Sequence, residues 1–267
     1  MNNLKVTCDL EGQRLTFTFE FEEDEPKSTS AKMVGNQFFV ELPKEVGMGD
    51  IDPDHLALCS FLVARPWLVK NITFPRPVSR KFATAIEVFR IKVGPINQEV
   101  IPYCSNQGEY LGLAFSGGAD STAALAVLPN TTIPVFLNRP LIEKSLYNKN
   151  AAIESCNNLK KIGYRCLTVS CDLELIRKPV GFPTDLANGV PAIVLAQHLN
   201  LFGISYGTVF ESLYGLGRMK YKDYEETSHK RMWWHVFEAA GLPPVSYTHL
   251  RAHETEADLV CRLLLEK

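Results

Sequence analysis

LGLAFSGGADSTAALAVL, residues 111–128, puts Ser-Gly-Gly-Ala-Asp-Ser between two apolar runs. The first run, LGLAF, shows no polar alternation, which is the pattern of a strand buried on both faces. The second, DSTAALAVL, predicts a helix over 120–128. A loop that joins a buried parallel strand to its helix lies at the carboxyl end of the sheet, where ligands bind in such folds. Gly117 and Gly118 permit backbone angles that turn successive N–H groups inward with no side chain in the way. The helix adds the positive end of its dipole, and together these make an anion site suited to phosphate. Ser116, Ser121 and Thr122 can donate hydroxyl hydrogen bonds to it. Asp120 would repel a bare phosphate. A bridging Mg2+ removes that conflict, because the ion takes carboxylate and phosphate oxygens together.

The same rhythm continues downstream. TIPVFLN (132–138) reads as a second strand and NAAIESCNNLKKIG (150–163) as a helix with Ile153, Cys156 and Leu159 on one side. YRCLTVSCDLE (164–174) reads as a third strand and ISYGTVFES (204–212) as a fourth. PAIVLAQHLNLFG (191–203) between them predicts a helix, with Pro191 in its first turn and Gly203 past its end. Apolar strands alternating with helices predict an α/β fold, a parallel sheet with helices on both faces.

Upstream the pattern changes. QRLTFTFEFE (13–22) alternates, with Leu15, Phe17, Phe19 and Phe21 on one face, as a half-buried strand does. VTCDL (6–10) and QFFVEL (37–42) are its expected partners, and EEDEPKSTSAKMVGN (22–36) an exposed loop. DPDHLALCSFLVAR (52–65) opens with the helix-start pair Asp52-Pro53. SRKFATAIEVFRI (79–91) has Ser79 as a cap and Phe82, Ile86 and Phe89 on one face. Residues 1–100 therefore read as a small α+β accessory domain without visible chemistry, with Arg76 and Arg80 either within reach of a phosphate or, the favoured reading, solvated surface. Residues 101–244 form the α/β domain.

Composition narrows the class. The chain has 267 residues, of which 46% are hydrophobic and 22% charged, enough for one large domain or a domain with an accessory piece. A net charge of −2 supplies no basic field, so nucleic acid is not indicated. No apolar run has the length of a membrane span and MNNLKVTCDL does not read as a signal peptide, so no membrane partner is expected. The seven cysteines include no CxxC pair and read as reduced thiols, which predicts a cytoplasmic protein without a disulfide framework or zinc site. Oligomeric state is not readable.

No Gly-Lys pair of the Walker type and no complete GxGxxG occur. Instead, the segment resembles the PP-loop of the PP-loop ATP pyrophosphatase superfamily, pattern SGGxDS, at all specified positions: Ser116, Gly117, Gly118, Asp120 and Ser121. The resemblance covers roughly residues 110–210 and implies an adenine nucleotide alpha hydrolase-like fold. It implies ATP and Mg2+ as cofactors. ATP would be split into AMP and pyrophosphate, adenylating a carboxyl, amide or carbonyl group for attack by a nitrogen or sulfur nucleophile. The substrate would be a small molecule or a modified base, and the enzyme of ligase or transferase type. By the same likeness the motif residues and Thr122 hold the pyrophosphate, Asp120 holds the metal, and adenine lies against Ala114, Phe115, Phe136 and Leu137. Other residues are placed by topology alone. Arg139, after the second strand, either stabilises charge at the α-phosphate or is a surface arginine. Asp172 and Glu174 end the third strand and Glu211 the fourth; they are expected near metal or substrate, or as plain loop carboxylates. Arg218, Lys220 and Lys222 lie on YGLGRMKYK, a solvated loop or an anion-binding lid. Trp233 and Trp234 are expected to pack, His198 to be a core histidine, and His229 and His235 to lack metal-ligand companions. The alternative function is a non-catalytic ATP-binding or regulatory module of the same fold.

VSYTHLRAHET, residues 245–255, reads codon for codon as a translated sequencing adapter, with 259–267 matching the flow-cell end in the same frame. The match marks 245–267 as a non-native tail and implies that the 101–244 domain is truncated. ETEADLVCRLLLEK alone would pass for an amphipathic helix.

Overall fold

The computed structural model describes residues 3–22, 31–68, 70–105, 108–141, 148–207 and 229–246. Strands β1 (Asn3–Glu11) and β2 (Arg14–Phe21) form the expected antiparallel pair. Leu15, Phe17 and Phe19 of β2 point inward, and Phe17 stacks on Phe38 with ring centroids 4.6 Å apart. The short β3 (Lys32–Met33) precedes β4 (Gln37–Glu41), which pairs antiparallel with β2. Helix α1 (Pro53–Ala64) starts at Asp52, whose carboxylate accepts the Asp54 N–H at 2.8 Å.

Strand β5 (Asn71–Val78) follows, then α2 (Arg80–Ile86), capped by Ser79 on the Phe82 N–H, and β6 (Lys92–Ile96). The sheet order is β4-β2-β1-β5-β6, with β5 parallel to both β1 and β6. Strand β5 has no counterpart in the sequence analysis, and its stretch NITFPRPV carries two prolines, which cannot donate to a ladder. The structure reconciles them: β5 pairs with β1 only over Asn71–Thr73, and its register with β6 is broken between Thr73 and Val78, where the prolines sit.

The second sheet holds β7 (Tyr110–Phe115), β8 (Ile133–Asn138) and β9 (Leu167–Ser170), then β11 (Leu201–Tyr206) and β12 (Pro244–Ser246), all parallel, in the order β12-β11-β7-β8-β9. The two-residue β10 (Arg177–Lys178) pairs with β3 instead. Helices α3 (Ala119–Val127) and α4 (Lys149–Lys161) cover one face over Leu111, Leu113, Phe115 and Phe136. The other face meets α5 (Val190–Val194), which packs on α1. A mixed α/β fold with a five-stranded parallel sheet is thus present. Among the described residues no helix is long and apolar enough to cross a membrane.

Helix α1 explains how the sheets are joined. Residues 54–64 are all buried, and a helix without a polar face must be enclosed on every side. It lies between β5 of the first sheet and α5 of the second, so a single apolar cluster runs from Phe17 and Phe38 through Leu58 and Phe61 to Ile193 and Ile204. Trp233 closes it, tilted against Phe61 and Phe89, and Trp234 is buried beside it, as expected of packing residues. They lead into α6 (Trp234–Ala239).

Three expectations need correction. The regular helix over 191–203 is only α5, ending at Val194; turns follow, and they stop where Asn200 takes the left-handed conformation (φ 53°) and the Asn200 and Leu201 N–H groups close on the Gln197 and Ala196 carbonyls. That is a helix-terminating motif with asparagine where glycine is usual. Gly203 therefore sits inside β11. His198 is consequently no core residue; it lies 3.7 Å from the exposed Glu45 carboxylate. Arg76, read as solvated, donates to the Met48 and Ile51 carbonyls and holds the approach to α1.

Val245 and Ser246, the first residues of the adapter-like tail, continue β12 alongside Ser205 and Tyr206. The pairing runs through backbone groups, so it does not depend on the particular Val245 and Ser246 side chains.

Candidate functional site

Strand order places the site. The chain runs outward from β7 to β8 to β9, then returns to β11 on the opposite side of β7. The sheet therefore reverses direction between β7 and β11, and such a switch point leaves a crevice at the carboxyl ends of the strands. The 116–121 loop follows β7 at this point.

Gly117 has φ +74°, and a Cβ there would lie 2.9 Å from Ala152 Cα and 3.0 Å from Ala152 Cβ. Only glycine fits, because α4 presses on the loop from outside. On the other flank Gly207, just past β11, would place a Cβ 2.6 Å from Ser121 Cα and 2.8 Å from its nitrogen. The loop is thus gripped between two backbones. Gly207 and Ala152 were missed in the sequence; the readable signal was an isolated glycine inside the strand-like ISYGTV.

Inside the loop the hydroxyls form a closed network. Ser121 Oγ accepts from the Ser116 N–H at 3.3 Å, lies 3.0 Å from Ser116 Oγ and donates to the Gly118 carbonyl at 3.1 Å. Ser116 Oγ accepts from the Gly118 N–H at 3.3 Å, and Thr122 Oγ1 donates to the Gly118 carbonyl at 2.9 Å. Ser121 is buried and braces the turn, whereas Ser116 and Gly118 are exposed and Asp120 is half-buried in the first turn of α3. The first N–H groups of any helix lack intrahelical acceptors, which leaves this end suited to an anion.

The structure brings Ser116, Gly117, Gly118, Asp120, Ser121 and Thr122 together. It does not bring the expected adenine residues to the surface: Ala114 and Leu137 face the α5 side, Phe115 and Phe136 lie under α3 and α4, and Phe136 is only 1% exposed. Glu211, Arg218, Lys220 and Lys222 lie outside the described residues. His235 is exposed, 3.6 Å from Glu238. Among the described residues no cluster of three or more His, Cys, Asp or Glu side chains could hold a metal ion. Asp120 alone fits a Mg2+ that takes its remaining ligands from phosphate and water, the usual habit of that ion.

At the neighbouring strand ends the carboxylates have structural partners. Asp172 Oδ1 accepts the Phe39 N–H at 2.8 Å, and Cys171 bridges to Val40, so this corner joins the two sheets. Burial raises the Asp172 carboxyl above its ordinary range against that hydrogen bond, which lowers it. Glu174, 2% exposed, receives Arg139 Nη1 on both oxygens at 2.7 and 2.6 Å, and Lys149 Nζ donates to the Arg139 carbonyl at 2.9 Å. Arg139 is therefore no loose surface arginine.

No protein-family profile, curated protein or solved structure matches the chain.

Proposed function

We propose that the 116–121 loop binds ATP with Mg2+ and that the chain belongs among the PP-loop ATP pyrophosphatases, with an adenine nucleotide alpha hydrolase-like sheet. One observation carries the reading: the SGGxDS loop follows the strand where the sheet reverses, and Gly117 there adopts a left-handed angle with no room for a side chain. Phosphate would meet the N–H groups of Gly118 and the first turn of α3, with Ser116 beside them. The Mg2+ would supply charge neutralisation between phosphate and Asp120. ATP would be split into AMP and pyrophosphate to activate a carboxyl, amide or carbonyl group on a small molecule or modified base.

Calorimetric titration of ATP with and without Mg2+ tests this on wild type and Asp120→Asn. The exchange removes a metal ligand and also a repulsion toward phosphate. Metal-free affinity should hold or improve, while the gain on adding Mg2+ should shrink. A mutant that keeps the whole Mg2+ effect removes Asp120 from the metal, and a wild type that binds no ATP ends the reading.

A binding module without turnover is the second reading. It is favoured by the engagement of Asp172 and Glu174, two residues expected near the chemistry, in hydrogen bonds and an ion pair. ATP binding with no formation of AMP and pyrophosphate in a metabolite extract would decide for it.

A further inference from the structure

We propose that Glu174 is a positioning residue: it holds the Arg139 guanidinium at the carboxyl end of β8, where Arg139 meets the α-phosphate of a nucleotide seated in the 116–121 loop. The inference rests on the nucleotide reading above and adds a residue whose place in it was undefined.

Arg139 and the loop share a neighbour. Ala152 of α4 touches Gly117, and Lys149, one turn earlier on the same helix, donates to the Arg139 carbonyl. A nucleotide with its terminal phosphates at the start of α3 that extends along the carboxyl end of β8 carries its α-phosphate along this path. Both contacts to Glu174 run through Nη1. A guanidinium carries five N–H donors in a rigid plane, so a carboxylate held on one nitrogen sets the direction of the others.

Glu174 is itself immobilised. It lies in the tight turn Leu173–Ile176, and the residues on either side are tied to the 32–39 segment, which runs from β3 into β4 of the first sheet. Asp172 accepts the Phe39 N–H, the Ile176 carbonyl accepts the Val34 and Gly35 N–H groups, and Arg177–Lys178 pairs with Lys32–Met33. A buried carboxylate between two such anchors is a fixed reference, and an arginine locked on it keeps little freedom to lose when an anion arrives. The first sheet thereby acquires a role at the site: it holds the segment that aims Arg139.

The test uses the full chain, calorimetry with MgATP and with Mg2+-pyrophosphate, and the variants Glu174→Gln, Arg139→Lys and the pair together. Pyrophosphate probes the loop alone and has no α-phosphate. Each single variant should weaken MgATP by about tenfold, the size of one charge-assisted hydrogen bond, and leave pyrophosphate within about twofold. In the Arg139→Lys background Glu174→Gln should cost clearly less than it does alone, because Glu174 acts through Arg139. A purely structural role would weaken both ligands alike and add to Arg139→Lys, and either result overturns the proposal. Unchanged MgATP affinity in both single variants also overturns it while leaving the nucleotide reading intact. A wild type that binds neither ligand removes both.

Discussion

The two sheets bury themselves by different rules. In β2 the inward Leu15, Phe17 and Phe19 alternate with Thr16, Thr18 and Glu20, so one face meets the core and the other stays nearer water. In β7 residues 111–115 are all buried, because α3 and α4 cover one face and α5 the other. A one-faced sheet has a whole side left for solvent. A two-faced sheet has only its ends, so polar groups gather at the carboxyl ends of β7, β8 and β9. In the first sheet the polar residues are spread over an open face, and none converges on a point. Between the two runs α1, which belongs to the core of both.

The comparison is broken most severely by separating the sheets. Residues 101–246 expressed without 1–100 should show no cooperative thermal transition by circular dichroism, since α5 would lose α1 and the apolar face it covers. A fragment that melts cooperatively would show that the shared core is dispensable.

Next in size are changes at the gripped loop. Gly117→Val combines a left-handed angle with a clash against Ala152 and should cost about 1–3 kcal/mol and abolish ATP binding. Gly207→Ala, pressed on the Ser121 backbone, should displace the start of α3 and weaken ATP by about tenfold, the loss of a single good hydrogen bond to phosphate. Retention of wild-type affinity by either variant would mean that the loop does not bind phosphate in this form.

A smaller effect sharpens the account of α1. Burial pushes His55 down to about 3, partly offset by its contact with the Ala240 carbonyl. Between its ordinary value and that point the unfolded chain takes up a proton that the folded chain refuses, so stability falls on acidification. Asp52, pushed up to about 6 by burial and then by Asp54, works the other way. From there down to the ordinary aspartate value the folded chain holds a proton that the unfolded chain has released, which stabilises it on acidification. Asp52→Asn keeps the helix cap and removes this opposition. Its melting temperature should therefore drop more steeply than that of wild type between about pH 6 and 4, near the two aspartate values. Parallel curves would sink this assignment.

The smallest effect belongs to the tail. Removing 247–267, the greater part of the adapter-like segment, should shift the melting temperature by less than about 2 °C, as expected of a non-native tail. A larger drop would give those residues a part in the structure.

Where the sequence misled, the competing physics is specific. Proline excludes a strand only where the ladder needs its N–H, and β5 is broken there. The helix predicted up to Gly203 ends at Val194, and Asn200 closes the turns that follow with the left-handed angle usual for glycine. Asp172 and Glu174 were legible as residues at a strand end, but their partners, Phe39 and Arg139, come from other strands.

By itself the sequence determined whatever depends on a few neighbouring residues: the alternation of β2, the caps at Asp52 and Ser79, the all-apolar β7 and the glycine pair of the loop. These follow from side-chain period and local backbone sterics, which act within a turn or two of chain. Only the tertiary structure decided that β11 returns beside β7, that α1 lies between two sheets, and that Phe39 bonds to Asp172 133 residues away and Arg139 to Glu174 35 residues away. Such contacts form when chain reversal brings distant strand ends together, and no periodicity in the sequence encodes which ends will meet.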